Sequence, residues 1–179
     1  DYDLLEQAGA RLAGRPLFWI VGGAGAGKTT LCQALAARLG LAVYDMDAHI
    51  YGSYHGRFSP MRHPANTAWA SAPDGLAWLL GLTWEEFDSF NRAALPEYLD
   101  LLCDDLDEMD LTDATLVDGG LCNPGLLAQA LPARQIACLA APELSSVTIW
   151  EQNRERAAMK EMIVQLPNHE ASWRTFLEF

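Results

Sequence analysis

The residues Gly22-Gly23-Ala24-Gly25-Ala26-Gly27-Lys28-Thr29 fit the pattern G-x-x-x-x-G-K-[ST] at every fixed position, and Thr30 follows directly. Glycines let successive backbone N–H groups turn into one concavity and let the chain come close to phosphate oxygens. A helix beginning at Lys28 adds the positive end of its dipole. The Lys28 ammonium can reach β- and γ-phosphates, and the Thr29 hydroxyl can ligate Mg²⁺. Gly22 to Thr30 is therefore expected to bind the phosphates of ATP, with Lys28 also offsetting charge during transfer. The glycines at 22, 23, 25 and 27 do not give the dinucleotide spacing G-x-G-x-x-G, because Lys28 stands where its last glycine would be.

Two further groups of carboxylates suit the same chemistry. Ala114-Thr115-Leu116-Val117-Asp118 is an apolar strand ending in an acid, and an aspartate there can hold Mg²⁺ or its water. The alternative is a strand-end turn aspartate ahead of Gly119-Gly120. Tyr44-Asp45-Met46-Asp47 puts two carboxylates at i and i+2 after a second strand. One can orient a metal-bound water, and the other can accept a hydroxyl proton from a phosphate acceptor. Asp47 can also serve as the N-cap of the next helix.

The elements that must position these groups alternate between apolar runs and helical periodicity, which predicts a parallel sheet with helices on both faces. A first helix is expected over Tyr2 to Leu12. Leu17 to Val21 reads as a strand buried on both faces. A helix follows from about Lys28 to Leu39, stopped by Gly40, then strands at Leu41–Tyr44, Thr115–Val117 and Gln135–Leu139. Thr83-Trp84-Glu85-Glu86 has the capping-box form and opens a helix to about Asp110 that Pro96 should kink or split. Asn123-Pro124 is an N-cap with proline at the first helical position. Ser146 to Leu166 reads as mostly helix, with a last short helix around Trp173 and Leu177. The fold class is α/β: a single three-layer α/β/α domain over residues 1–179 with an insertion at about 47–113. The start at Asp1 without Met, and the lack of a fifth strand before Phe179, read as a chain continuing beyond both ends.

The P-loop, the D-x-D after the second strand and Gly119-Gly120 after the third together resemble small P-loop kinases, among them shikimate, gluconate and, more loosely, nucleoside monophosphate kinases. The resemblance spans about residues 16 to 166. It implies ATP and Mg²⁺ as cofactors, with Asp45 on the metal side beside Thr29 and Asp118. It implies that Asp47 is the acceptor-side base and that Gly119 and Gly120 line the acceptor pocket. Asp118 departs from the shikimate-kinase pattern and resembles an ordinary Walker B aspartate. In such kinases a lid after the fourth strand brings arginines over the transferring phosphate. The corresponding stretch, about 145–165, holds Arg154 and Arg156; being two apart they would not share a helical face. The other reading of that stretch is a solvated face of Glu–Arg pairs.

The insertion carries Arg57 and Arg62, which can hold an anionic acceptor, amid tryptophans and tyrosines that are either helical core or a ring-binding surface. His49, His55 and His63 lack zinc-ligand spacing. Eight acidic residues between Glu97 and Asp113, with no lysine or arginine among them, read as a solvated helix face. The net charge of −12 argues against nucleic-acid backbones and anionic membranes as partners, and no apolar run is long enough to span a bilayer. The scattered cysteines Cys32, Cys103, Cys122 and Cys138 suggest reduced thiols in the cytoplasm. The expectation is a kinase of a small metabolite bearing a hydroxyl or phosphate. The alternatives are a nucleotide-dependent switch or ATPase acting on a protein partner, or an antibiotic-modifying or toxin-type phosphotransferase. No N-K-x-D guanine-reading motif occurs.

Overall fold

The structure is a computed structural model that describes residues 2–23, 25–109, 113–120, 123–140, 148, 150 and 157–178. Four strands, β1 (Leu17–Gly22), β2 (Ala42–Asp45), β3 (Thr115–Asp118) and β4 (Ile136–Leu139), form one sheet in the order β2-β3-β1-β4. Every pairing is parallel. The chain leaves β1, crosses by α2 (Lys28–Leu39) to β2 beyond the place of β3, fills that place with β3, and then sets β4 on the other side of β1. The direction of winding thus reverses at β1. In open parallel sheets the crevice at the carboxyl ends of such strands is where ligands bind.

Helices lie on both faces. α2 packs on β1, β2 and β3. On the other face, Leu17, Trp19, Val21, Tyr44 and Val117 join a core with Leu5, Ala8 and Leu12 of α1 (Tyr2–Leu12), the buried side of α6 (Trp84–Glu108) and Leu127 of α7 (Pro124–Ala130). The alternation along β1 follows the two-residue period of a strand. Phe18, on the α2 side, is 42% exposed, so the strand is not buried evenly on both faces. Among the described residues α2 is the helix packed on that face, and it does not reach Phe18's end of the strand with enough cover.

The insertion begins with α3 (Met46–Ala48) and a wide π-helical turn (His49–Ser53), followed by α4 (Pro64–Ala70), α5 (Gly75–Leu80) and α6. Thr83 caps α6 in a reciprocal box with Glu86, as its sequence predicts. Contrary to the expectation from Pro96, α6 runs unbroken to Glu108. A proline inside a helix costs about 3 kcal/mol. Leu95, Leu99, Leu102 and Leu106, each at most 1% exposed, return about 1.5–3 kcal/mol apiece on burial. The packing term outweighs the lost hydrogen bond.

The acidic run on α6 is only partly a solvated face: Asp107 and Glu108 are exposed, but Glu97 and Asp100 are buried. Arg11 donates to Asp100, Asp104 and Asp107, and Arg15 to Asp107. Buried Glu97 accepts the N–H groups of Ala65 and Asn66 at the start of α4. The helices Ala157–Val164 and His169–Glu178 close a second, smaller core with Leu80, Ile163 and Leu166, which docks them on α5. No helix among the described residues is long and apolar enough to cross a membrane.

Candidate functional site

Gly22 ends β1 with φ +149°, and a Cβ there would stand 2.3 Å from the Leu139 carbonyl oxygen of β4. Only glycine lets β4 come this close just before the chain turns into the loop. The loop leads into α2 through Gly27, which gives the helix no side-chain cap, and the first turn of α2 holds no acidic residue. Its N–H groups and dipole are therefore open to an anion. Thr29 and Thr30 are exposed on that turn. The Lys28 ammonium bridges the mouth of the loop, donating to the carbonyls of Gly22 at 2.9 Å and Gly23 at 3.0 Å. Ala24 lies outside the described residues.

Strand register sets the carboxylates beside this loop. Asp118 is level with Ile20 of β1 and with Asp45 of β2. Asp118 is 5% exposed, and its Oδ1 is buried with no hydrogen-bond partner. A buried carboxylate oxygen without a partner is costly, and a cation is the group that best removes the cost. Behind it on α2 lies Cys32, fully buried, whose thiol is pushed up to about 12 by burial and by the carboxylates of Asp118 and Asp45. Among the described residues no three His, Cys, Asp or Glu side chains converge as a metal-binding set.

Asp45 is the cap that sequence reading had allowed Asp47 to be: its Oδ1 accepts the Ala48 N–H at 2.9 Å. Asp47 turns instead toward the end of β3, where its Oδ1 accepts the Gly120 N–H at 3.0 Å. Its carboxyl is raised above the ordinary aspartate value, first by burial among its neighbours and then by Asp45. Lys28 and the Gly120 N–H oppose the shift, and Asp118 adds to it. Lys28, Asp45, Asp47 and Asp118 therefore form one electrostatic cluster. Gly119 and Gly120 have φ +75° and +77°, and a Cβ at either would stand 2.6 Å from Asp47 Oδ2 or 2.5 Å from Met46 Cβ. The two glycines are what allows Asp47 to sit against the β3 turn.

Trp19 was not singled out from sequence, yet its indole N–H donates to the Gly119 carbonyl at 3.1 Å and fixes that turn from within the core. A tryptophan in mid-strand needs a partner for its N–H, which is the signal that was present. Tyr44 is a second such residue. Its hydroxyl donates to Asp105 at 2.5 Å and lies 2.6 Å from that of Tyr54, while His49 stacks on its ring, tying the end of β2 to α6.

Arg57 and Arg62 are engaged by α6 rather than by the groups around Lys28. Arg57 pairs with Asp105 and lies over the Tyr54 ring, and Arg62 pairs with Asp100 at 2.5 Å and Asp104 at 3.4 Å. His63 is buried and shares Asp100 at 3.0 Å. Arg154, Arg156 and Cys122 lie outside the described residues. No protein-family model, curated protein or solved structure matches the chain.

Proposed function

We propose that the chain is a P-loop phosphotransferase, transferring the γ-phosphoryl group of ATP to a hydroxyl on a small acceptor in an Mg²⁺-dependent reaction on a P-loop kinase fold. The observation that carries this reading is a meeting of groups at the sheet's reversal point. The helix that opens at Lys28 has no side-chain cap, Asp118 keeps a buried carboxylate oxygen without a partner, and Lys28 and Asp118 both act on the charge of Asp47. An anion site and a cation site that act on the same carboxylate are what a metal–nucleotide complex requires.

The chain's own residues divide the work. The α2 N-terminus and the loop Gly22–Thr30 bind phosphates. Lys28 exchanges its two carbonyl partners for β- and γ-phosphate oxygens. Thr29 and Asp118 would hold Mg²⁺ with Asp45 beside them, and the ion would supply further neutralisation of phosphate charge. Asp47 accepts the proton of the acceptor hydroxyl as that oxygen bonds to the γ-phosphorus. The bond from phosphorus to the β,γ-bridging oxygen breaks, and ADP leaves with the electron pair. A carboxyl raised by its surroundings is a better proton acceptor than an ordinary one. Gly119 and Gly120 place Asp47, and Arg154 and Arg156 remain the lid groups assigned to the transferring phosphate. The free thiols Cys32, Cys103 and Cys138 support a cytoplasmic setting.

Calorimetric titration with MgATP tests the nucleotide site. Lys28→Ala removes a charge-assisted contact and is expected to weaken binding by about 10- to 100-fold. Unchanged binding in Lys28→Ala would contradict the assignment.

A further inference from the structure

We infer that the acceptor is neutral or cationic, an uncharged or amine-bearing alcohol, and not a phosphate monoester or a carboxylate. The inference rests on the phosphotransferase reading and narrows its substrate. The insertion from Asp47 to Asp113 is where an acceptor would be received, and an anionic acceptor would need a cation there that is not already neutralised. Arg57, Arg62 and Arg92, the arginines of the insertion, each pair with a carboxylate of the same insertion: Asp105, Asp100 with Asp104, and Asp88. Arg11 and Arg15 of the first helix and its following loop, which reach across to α6, are likewise held by Asp100, Asp104 and Asp107. Arg11, Arg15, Arg57 and Arg62 thus stand against Asp100, Asp104, Asp105 and Asp107, four charges of each sign with no positive excess.

Among the described residues, the side chains at the reaction centre lean negative. Asp47 feels the carboxylates of Asp45 and Asp118 and the ammonium of Lys28, and Lys28 would be occupied by the nucleotide's phosphates. The protein as a whole carries −12. A protein of net negative charge concentrates ligands of the opposite sign and repels those of its own, with effects on association of about 10- to 1000-fold. Like charges set against one another also weigh against the wrong partner. An aspartate base next to an already ionised acceptor group would meet that repulsion at the moment of attack.

Acceptors matched except for charge provide the test: a nucleoside and its 5′-monophosphate, and a hexose, its 2-amino derivative and its aldonic acid. Acceptor-dependent ADP release from MgATP is measured for each, at low and at high salt. Within each set the neutral or amine-bearing member is expected to show a kcat/KM at least about tenfold above the anionic one, and added salt should narrow the gap. A higher kcat/KM for the anionic member, lost in Arg57→Gln or Arg62→Gln, would overturn the inference and leave the phosphotransferase reading standing. MgATP binding with no ADP release for any member would count against transfer itself, and the inference would fall with it.

Discussion

Asp47 takes its place from a single hydrogen bond and two missing side chains. The Gly120 N–H holds one of its oxygens, the space where Gly119 would carry a Cβ holds its carboxylate, and the space at Gly120 holds the neighbouring Met46. Asp47→Asn keeps an oxygen able to accept that bond but cannot take a proton. Turnover is expected to fall by about 10²- to 10⁴-fold with MgATP affinity retained, measured by steady-state kinetics and calorimetry side by side. Retained turnover would remove Asp47 from the role of base. Cys32 gives a second check at this scale. Its burial, and a thiol pushed up to about 12, make it inert, whereas Cys138 is exposed. Maleimide labelling of the folded protein near neutral pH, followed by peptide mapping, is expected to modify Cys138 and spare Cys32. Rapid labelling of Cys32 would mean that α2 is not packed on Asp118 as described.

Elements were legible in the sequence where the signal is local. The Gly-rich loop before α2, the Gly40 stop, the Thr83 box and the Asn123-Pro124 start all lie where their residue types put them, because a cap or a turn is decided within about four positions. What was not legible depends on partners far away in the chain. The carboxylates of α6 looked solvated because their arginines do not share their helix; Arg11 and Asp107 are separated by 96 positions. Pro96 looked like a break because propensity counts a lost hydrogen bond and not the leucines packed around it. In the candidate site, the Gly-rich loop and the carboxylates were readable as residue types, but the division between Asp45 as cap and Asp47 as the group facing the β3 turn required the register of β2 on β3.

Two substitutions test elements. Gly120→Ala would set a methyl group against Met46 at φ +77°, so it is expected to displace Asp47 and lower kcat far more than MgATP affinity. Glu97→Gln tests the junction of α4 and α6. Glu97 accepts two backbone N–H groups and the Asn66 side-chain amide, and a glutamine turns one of its acceptors into a donor facing donors. The variant is expected to lose about 1–3 kcal/mol in chemical denaturation, although the change removes a buried charge. No loss would mean that the carboxylate is not what starts α4.

At the scale of the whole molecule, a chain of net charge −12 pairs Arg11, Arg15, Arg57 and Arg62 with its own acids. Asp107 shows the sign of that coupling: its carboxyl is held below the ordinary value, first by hydrogen bonding to Arg11. A carboxyl with a depressed value in the folded state contributes stability that is present above its unfolded value of 3.8 and lost as pH falls through the folded value. Melting temperature is therefore expected to fall on acidification below about pH 4, and the Arg11 contribution to shrink with salt because the pair is at the surface. Arg11→Gln should lower the melting temperature at neutral pH and make little difference once the carboxylates are protonated.

The proposed place for chemistry is Lys28 and the carboxylates at the sheet's reversal point. The most direct test is ADP release from MgATP in the presence and absence of a panel of small alcohols, with Lys28→Ala as the blank. Release that depends on an acceptor and disappears in Lys28→Ala is the expected result. MgATP binding without any acceptor-dependent release would contradict phosphoryl transfer and direct attention to a protein partner instead.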